Sequence, residues 1–246
     1  MPQSVDVKRL KEEIRRRIWS RMLAEGVALP PFPIEGRIPN FRGAELAARR
    51  LVESEPFQKA DVVFCNPDSP QRPVREAVLR SGKLLIMATP KLRNGFVIID
   101  PRTVAGSKTY EASTIRGAFK YGRLVLLEVP HVDLKVAGSV AVSPEGGRVG
   151  KGGGFSDLEF GILRRIGAVD ERTPVVTTIH DVQLVEHVPM ERHDVPVDVI
   201  YTPSRVIAVS RRYARPEGIY WEEVDEEKMR EIPVLKALRE GQAKEK

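Results

Sequence analysis

The 246-residue sequence has one cysteine, Cys65. That excludes an intramolecular disulfide and any cysteine-rich metal site. Aromatic residues make up only 6% of the chain, which counts against the aromatic platforms that hold RNA bases. No apolar run approaches the roughly 18 residues needed to cross a bilayer. The N-terminal stretch MPQSVDVKRLKEEIRRR has no apolar core, so it does not read as a secretory signal. Asp6, Glu12 and Glu13 argue against a transit peptide. Asparagine occurs only at Asn40, Asn66 and Asn94, which fits a heat-adapted source. What remains is 41% hydrophobic and 30% charged, the composition of a soluble globular protein, with the cytoplasm as default. The net charge of +6 weakly favours an anionic partner, and a solvated mixed-charge surface is the better reading than a nucleic-acid patch.

The pattern along the chain alternates helix and strand. Residues 7–25 place Val7, Leu10, Ile14, Ile18 and Met22 at helical spacing. The proline-rich ALPPFPIEGRIPNF reads as a surface connection. GAELAARRLVE reads as a helix and ADVVFCN as a short strand, followed by the helix PVREAVLRSG and the buried strand KLLIMAT. SKTYEASTIRGAFKYG reads as one helix; LKVAGSVAV, PVVTTI, VDVIYT and RVIAVS read as strands. Fully apolar strands alternating with helices predict an α/β fold of three layers: a mainly parallel sheet with helices on both faces. Ligands of such sheets sit beyond the carboxyl ends of the strands. We expect an α/β domain over residues 1–210 and a helical extension over 211–246, split near Pro233.

The stretch GGRVGKGGGFSDLEFGILRRIG stands out. Gly150, Gly152, Gly153 and Gly154 leave backbone N–H groups open to an anion, and Lys151 adds a point charge. Ser156 and Glu159 have the spacing of a capping box, which predicts that the loop feeds a helix N-terminus. Phosphate is the natural guest. It is not a Walker loop, because Glu145 and Gly152 stand where a glycine and a hydroxyl residue are required. The dinucleotide fingerprint fails at Phe155. Asp157 suits either a first-turn acid or a cation held beside the phosphate.

Asp194 and Asp198 would share a face if the chain is extended there. His180 and His193 have no zinc-like spacing and read as structural. Lys11 and Arg15, four apart, share a helix face and can clamp phosphates, or can be ordinary solvated charges.

Three blocks together give the sequence a resemblance to the 5-formyltetrahydrofolate cyclo-ligase family. They are Lys11 to Arg15, Arg148-Val-Gly-Lys-Gly-Gly-Gly-Phe-Ser-Asp157, and Gln183 with the downstream VPMERHDVPVDVIYT. Further segments look closest to a divergent branch whose animal members place this domain before an RNA-recognition module, which this chain is expected to lack. The resemblance implies a NagB/RpiA/CoA-transferase-like fold and an ATP- and Mg2+-dependent cyclisation of 5-formyltetrahydrofolate to 5,10-methenyltetrahydrofolate. It implies that Lys11, Arg15, Arg148, Gly150, Lys151, Gly152, Gly153, Gly154, Phe155 and Ser156 bind ATP. Arg148 and Lys151 would assist the transfer, and Asp157 and Asp194 would hold magnesium. Phe155-Ser156 replaces the family's Tyr-Tyr, and no glutamate follows ADVVFCN, where Pro70 or Gln71 stands instead. The nucleotide half therefore reads as intact and the folate half as altered. Alternatives are an ATP-using enzyme on a modified pterin and a non-catalytic nucleotide- or RNA-binding homologue. Monomer and homodimer both stay open.

Overall fold

The computed structural model describes residues 3–104, 106–210 and 212–244. The helices are α1 (Gln3–Ala24), α2 (Ala44–Val52), α3 (Glu55–Lys59), α4 (Arg72–Arg80), α5 (Lys108–Ala112), α6 (Ile115–Tyr121), α7 (Phe155–Arg165), α8 (Glu226–Glu231) and α9 (Pro233–Lys244). The strands are β1 (Ala28–Leu29), β2 (Asn40–Phe41), β3 (Val62–Cys65), β4 (Leu84–Ala88), β5 (Phe96–Ile99) and β6 (Arg123–Val125). They continue with β7 (Leu134–Ala137), β8 (Ala141–Val142), β9 (Arg148–Val149), β10 (Val175–Thr178), β11 (Val199–Tyr201) and β12 (Val206–Ala208).

Eight strands form one sheet in the order β12-β11-β10-β7-β3-β4-β5-β6. The five central strands run parallel, and β12, β5 and β6 add antiparallel at the edges. Side chains alternate between two cores. Val63, Cys65, Leu85, Met87 and Val136 pack with Leu51, Phe57, Val74 and Val78 of α2–α4. Phe64, Ile86 and Ile98 face the other way, in a cluster that holds Phe160 and Leu163 of α7 and Ile232, Val234 and Leu235 of the tail. Burying each large aliphatic or aromatic side chain contributes about 1.5–3 kcal/mol, so both faces are covered and the fold is the expected three-layer α/β arrangement. A third cluster packs Ile14, Ile18 and Met22 of α1 on Ile34, Ile38 and Phe41.

Some local expectations are corrected. The proline-rich stretch is not confined to the surface, because Ile34, Ile38 and Phe41 are buried under α1. Residues 107–122 form two short helices, broken where Thr114 caps α6 through its hydroxyl. LKVAGSVAV is not one strand: β7 stops at Ala137, and β8 pairs with β9 in a separate hairpin. Strands β5 and β6 carry no clear alternating pattern and escaped the sequence reading. Pro233 does divide the tail helices. The boundary expected after residue 210 abuts residue 211, which lies outside the described residues.

Candidate active site

A cleft of about 420 Å3 lies between α1, the glycine loop, the first turns of α7, the 191–194 loop and the tail. The β8–β9 hairpin extends from the carboxyl end of β7 and delivers the chain into this loop. Gly154 takes a left-handed φ of 67° as N-cap of α7, and no side chain caps the helix. The first N–H groups of a helix have no intrahelical partner, so this end suits an anion.

The expected capping box is not formed. The left-handed turn at Gly154 starts the helix at Phe155, ahead of the serine, so Ser156 lies inside it. Its hydroxyl donates to Asn66 Oδ1 at 3.3 Å. Glu159 turns into the core instead, where it pairs with Lys135 and accepts from the Asn66 amide at 3.0 Å. Burial pushes the Glu159 carboxyl up and the Lys135 ammonium down, each toward its neutral form, while their mutual attraction resists.

Arg148 is buried and fully oriented. Its guanidinium donates to the carbonyls of Val195 (3.2 Å) and Gly138 (3.0 Å) and to Asp157 Oδ1 at 2.5 Å. The same Asp157 oxygen accepts the Val195 N–H at 3.0 Å. Lys11, also buried, places Nζ 2.5 Å from Asp194 Oδ2 and 3.0 Å from Glu191 Oε2. Asp194 Oδ2 accepts the Glu191 N–H as well, at 2.6 Å. Burial and the nearby Asp157 carboxylate push the Asp194 carboxyl up, against the pull of Lys11. Arg15 reaches the loop itself, donating to the Gly150 carbonyl at 2.8 Å.

The fold thus brings Lys11, Arg15, Arg148, Gly150, Gly152, Gly153, Gly154, Asp157 and Asp194 to one cleft. The other three residues of the sequence reading point elsewhere. Lys151 leaves the cleft and pairs with Asp68 at 2.8 Å. The Phe155 ring packs toward the core with Lys228 Nζ 5.7 Å away, and Ser156 holds Asn66. Asp194 and Asp198 do not share a strand face, because regular strand begins only at Val199. Asp198 accepts the Val175 N–H and pairs with Arg215. Sequence reading missed Glu191 and also Lys8, one turn before Lys11 on the same face, and it took His193 as structural although that residue too lines the cleft. The 8, 11, 15 spacing could have revealed the lysine. Nothing local marked Glu191, and the place of both Glu191 and His193 depends on the fold of an irregular loop.

The donor set suits a hard cation. Asp157 and Asp194 each use Oδ1 or Oδ2 internally and leave their other oxygen without a hydrogen bond among the described residues. The Asp194 carboxyl is raised first by burial and second by the Asp157 carboxylate, and a cation bound beside it would oppose that rise. Glu191, His193 and Asp194 also place potential ligand atoms within 4.8 Å of one another. Carboxylate oxygens are the ligands Mg2+ takes.

The model of the 5-formyltetrahydrofolate cyclo-ligase family matches residues 7–203. The chain is 40% identical over 244 residues to the methenyltetrahydrofolate synthase domain-containing protein of Homo sapiens, covering 97% of this chain and 63% of that protein. It is 35% identical over 81 residues to the 5-formyltetrahydrofolate cyclo-ligase of Escherichia coli (strain K12), covering 33% of this chain and 42% of that one. The NMR structure of Aquifex aeolicus 5,10-methenyltetrahydrofolate synthetase superposes with a TM-score of 0.54 at 23% identity, over 87% of this chain and all of that one. That likeness shows the shared fold. The chain spans about 63% of the length of the human relative. No described helix is long and apolar enough to cross a membrane.

Proposed function

The chain belongs to the 5-formyltetrahydrofolate cyclo-ligase family, and from that premise we propose that it uses ATP and Mg2+ to close 5-formyltetrahydrofolate to 5,10-methenyltetrahydrofolate. The observation that carries this reading is the convergence of Lys11, Arg15 and the uncapped start of α7 on one cleft that also holds two carboxylates. The catalytic unit proposed is residues 1–210, extended by 211–246.

In this reading the formyl oxygen attacks the γ-phosphorus of ATP and ADP leaves with the bond pair. The neighbouring folate nitrogen then attacks the activated carbon and gives up its proton, the carbon–oxygen bond breaks, and phosphate departs carrying that oxygen and takes up the proton. Enzymes of phosphoryl transfer act mainly by positioning and by neutralising charge. Mg2+, when bound by Asp157 and Asp194, would supply part of that neutralisation. Lys11 and Arg15 bind phosphate oxygens, and Lys8 adds positive charge at the rim. The N–H groups of Gly152 to Gly154 and the first turn of α7 orient the triphosphate. Arg148, with each of its three guanidinium nitrogens donating one hydrogen bond, positions Asp157 and the hairpin. Lys151 reaches the phosphates only by leaving Asp68.

The test is direct. Purified protein with 5-formyltetrahydrofolate, ATP and Mg2+ gives methenyl absorbance and phosphate in step, and omission of either ATP or Mg2+ abolishes both. No product from a protein that binds ATP normally refutes it. The turning of Phe155 and Ser156 away from the cleft favours a second reading, a modified pterin as acceptor. Phosphate release with another pterin, and none with the folate, selects it.

A further inference from the structure

The family match ends at residue 203, yet one side of the cleft comes from beyond it. Ile219, Tyr220 and Val224 line the cavity together with Leu158 of α7. Ile219, Val224 and Leu158 are partly buried and pack on the main core. The opposite side, from α1 and the glycine loop, is cationic and rich in backbone N–H groups. The cavity therefore has a cationic wall within the family-matched part and a mixed wall supplied by the tail, where Ile219, Tyr220 and Val224 form an apolar strip flanked by Glu223, Asp225 and Lys228.

The tail is fixed in place at several points. Gly161 of α7 has no side chain, and a Cβ there would come within 2.6 Å of the Gly218 carbonyl oxygen. Only glycine lets the tail backbone lie so close. The Arg192 guanidinium stands 4.6 Å from the Tyr220 ring centre and holds Glu222 and Glu223. Farther on, Ile232, Val234 and Leu235 are fully buried. This side is a built wall.

We propose that the Gly218–Val224 segment forms the site for the heterocyclic base of the nucleotide, so that a stretch outside the family-matched residues sets base affinity and preference. The chemistry fits a ligand with a flat ring whose faces are apolar and whose edge is polar, carrying a polyanionic chain. Ring faces lie against Ile219, Tyr220 and Val224, and Glu223 accepts from ring-edge amino groups. Pockets of this kind pair an apolar lining with a few polar groups that fix orientation. The inference rests on the nucleotide reading given above and adds the residues that hold the base.

The experiment compares two ligands that share the phosphates and differ in the base. Calorimetry with Mg2+ measures ATP and inorganic tripolyphosphate on wild type, Tyr220→Ala, Tyr220→Phe and Gly161→Ala. Wild type is expected to bind ATP more tightly than tripolyphosphate. Tyr220→Ala and Gly161→Ala should weaken ATP about five- to a hundredfold, the range for losing a stacked base. Tripolyphosphate affinity should stay within about twofold in the same variants, and Tyr220→Phe should bind ATP like wild type. Thermal melts identify any variant that fails to fold, and the Tyr220 pair decides alone if Gly161→Ala does. Equal wild-type affinity for the two ligands overturns the base site while leaving the phosphate site standing. Unchanged ATP affinity in Tyr220→Ala, or parallel loss of both ligands, also overturns it. A wild type that binds neither ligand removes the nucleotide reading and this inference together.

Discussion

Replacing Lys135 with methionine should destabilise this protein severely, and the penalty should grow with pH. Lys135 and Glu159 have side-chain exposures of 0% and 4%. Lys135 Nζ also lies 4.1 Å from the Phe64 ring centre. Without the lysine, Glu159 keeps only the Asn66 amide as a partner. Removing one member of a buried ion pair costs about 3–5 kcal/mol, a large share of a typical total stability of about 5–15 kcal/mol. The Glu159 carboxyl is raised above its ordinary value by burial. A group raised on folding contributes stability that is fully present below its unfolded pKa and is lost as pH rises through the folded one. Losing Lys135 removes the main attraction opposing that rise, so the loss extends to higher pH. Urea unfolding followed by circular dichroism should show a small penalty near pH 4.5 and the full one by about pH 8. Lys135→Met with Glu159→Gln should recover more than half of it, since no buried charge remains. A penalty below about 1 kcal/mol, or one flat across that range, refutes the argument.

Lys11→Met acts by the same logic at the cleft. The already raised Asp194 carboxyl rises further, so the melting temperature relative to wild type should fall as pH increases from about 4 to 8; a constant difference contradicts it. Gly154→Ala meets no atom within 4 Å but must hold φ at 67°, a conformational cost of about 1–2 kcal/mol. That corresponds to a drop of about 2–8 °C in Tm, and an unchanged Tm in a melt would show that the turn relaxes freely. The Cys65 thiol is fully buried and its pKa is pushed up to about 12 by that burial. It should resist alkylation in native buffer and react at once in urea, with mass spectrometry as the readout; native labelling would contradict the packing.

The parallel sheet was legible because β3, β4, β7, β10 and β11 are short apolar runs separated by amphipathic helices or turn residues. β5 and β6 were not, because Phe96–Ile99 follows a helical turn closely and Arg123–Val125 shows two exposed residues at the sheet edge. Much of the candidate site could be read from three separated motifs, since Lys11, Arg15, Asp157 and Asp194 meet in one cleft. The orientation of Lys151 could not, because it depends on Asp68, distant in sequence and brought close by the end of β3. Ser156 and Glu159 had the right spacing for a cap, but the left-handed glycine before them moved the helix start. Tyr220 and its neighbours were invisible as site residues, because contacts between segments distant in sequence, among them Gly218 on Gly161 and Arg192 on Tyr220, place the tail against the cleft.

The central claim is that this cleft binds a nucleoside triphosphate through a cation held by Asp157 and Asp194. Calorimetric titration of ATP into wild type and Asp157→Asn, with Mg2+ and with chelator, tests it most directly. The account predicts wild-type binding that depends on Mg2+ and an Asp157→Asn protein, still folded by circular dichroism, that has lost most of that dependence. Equal ATP affinity with chelator, or equal Mg2+ dependence in the variant, would contradict it.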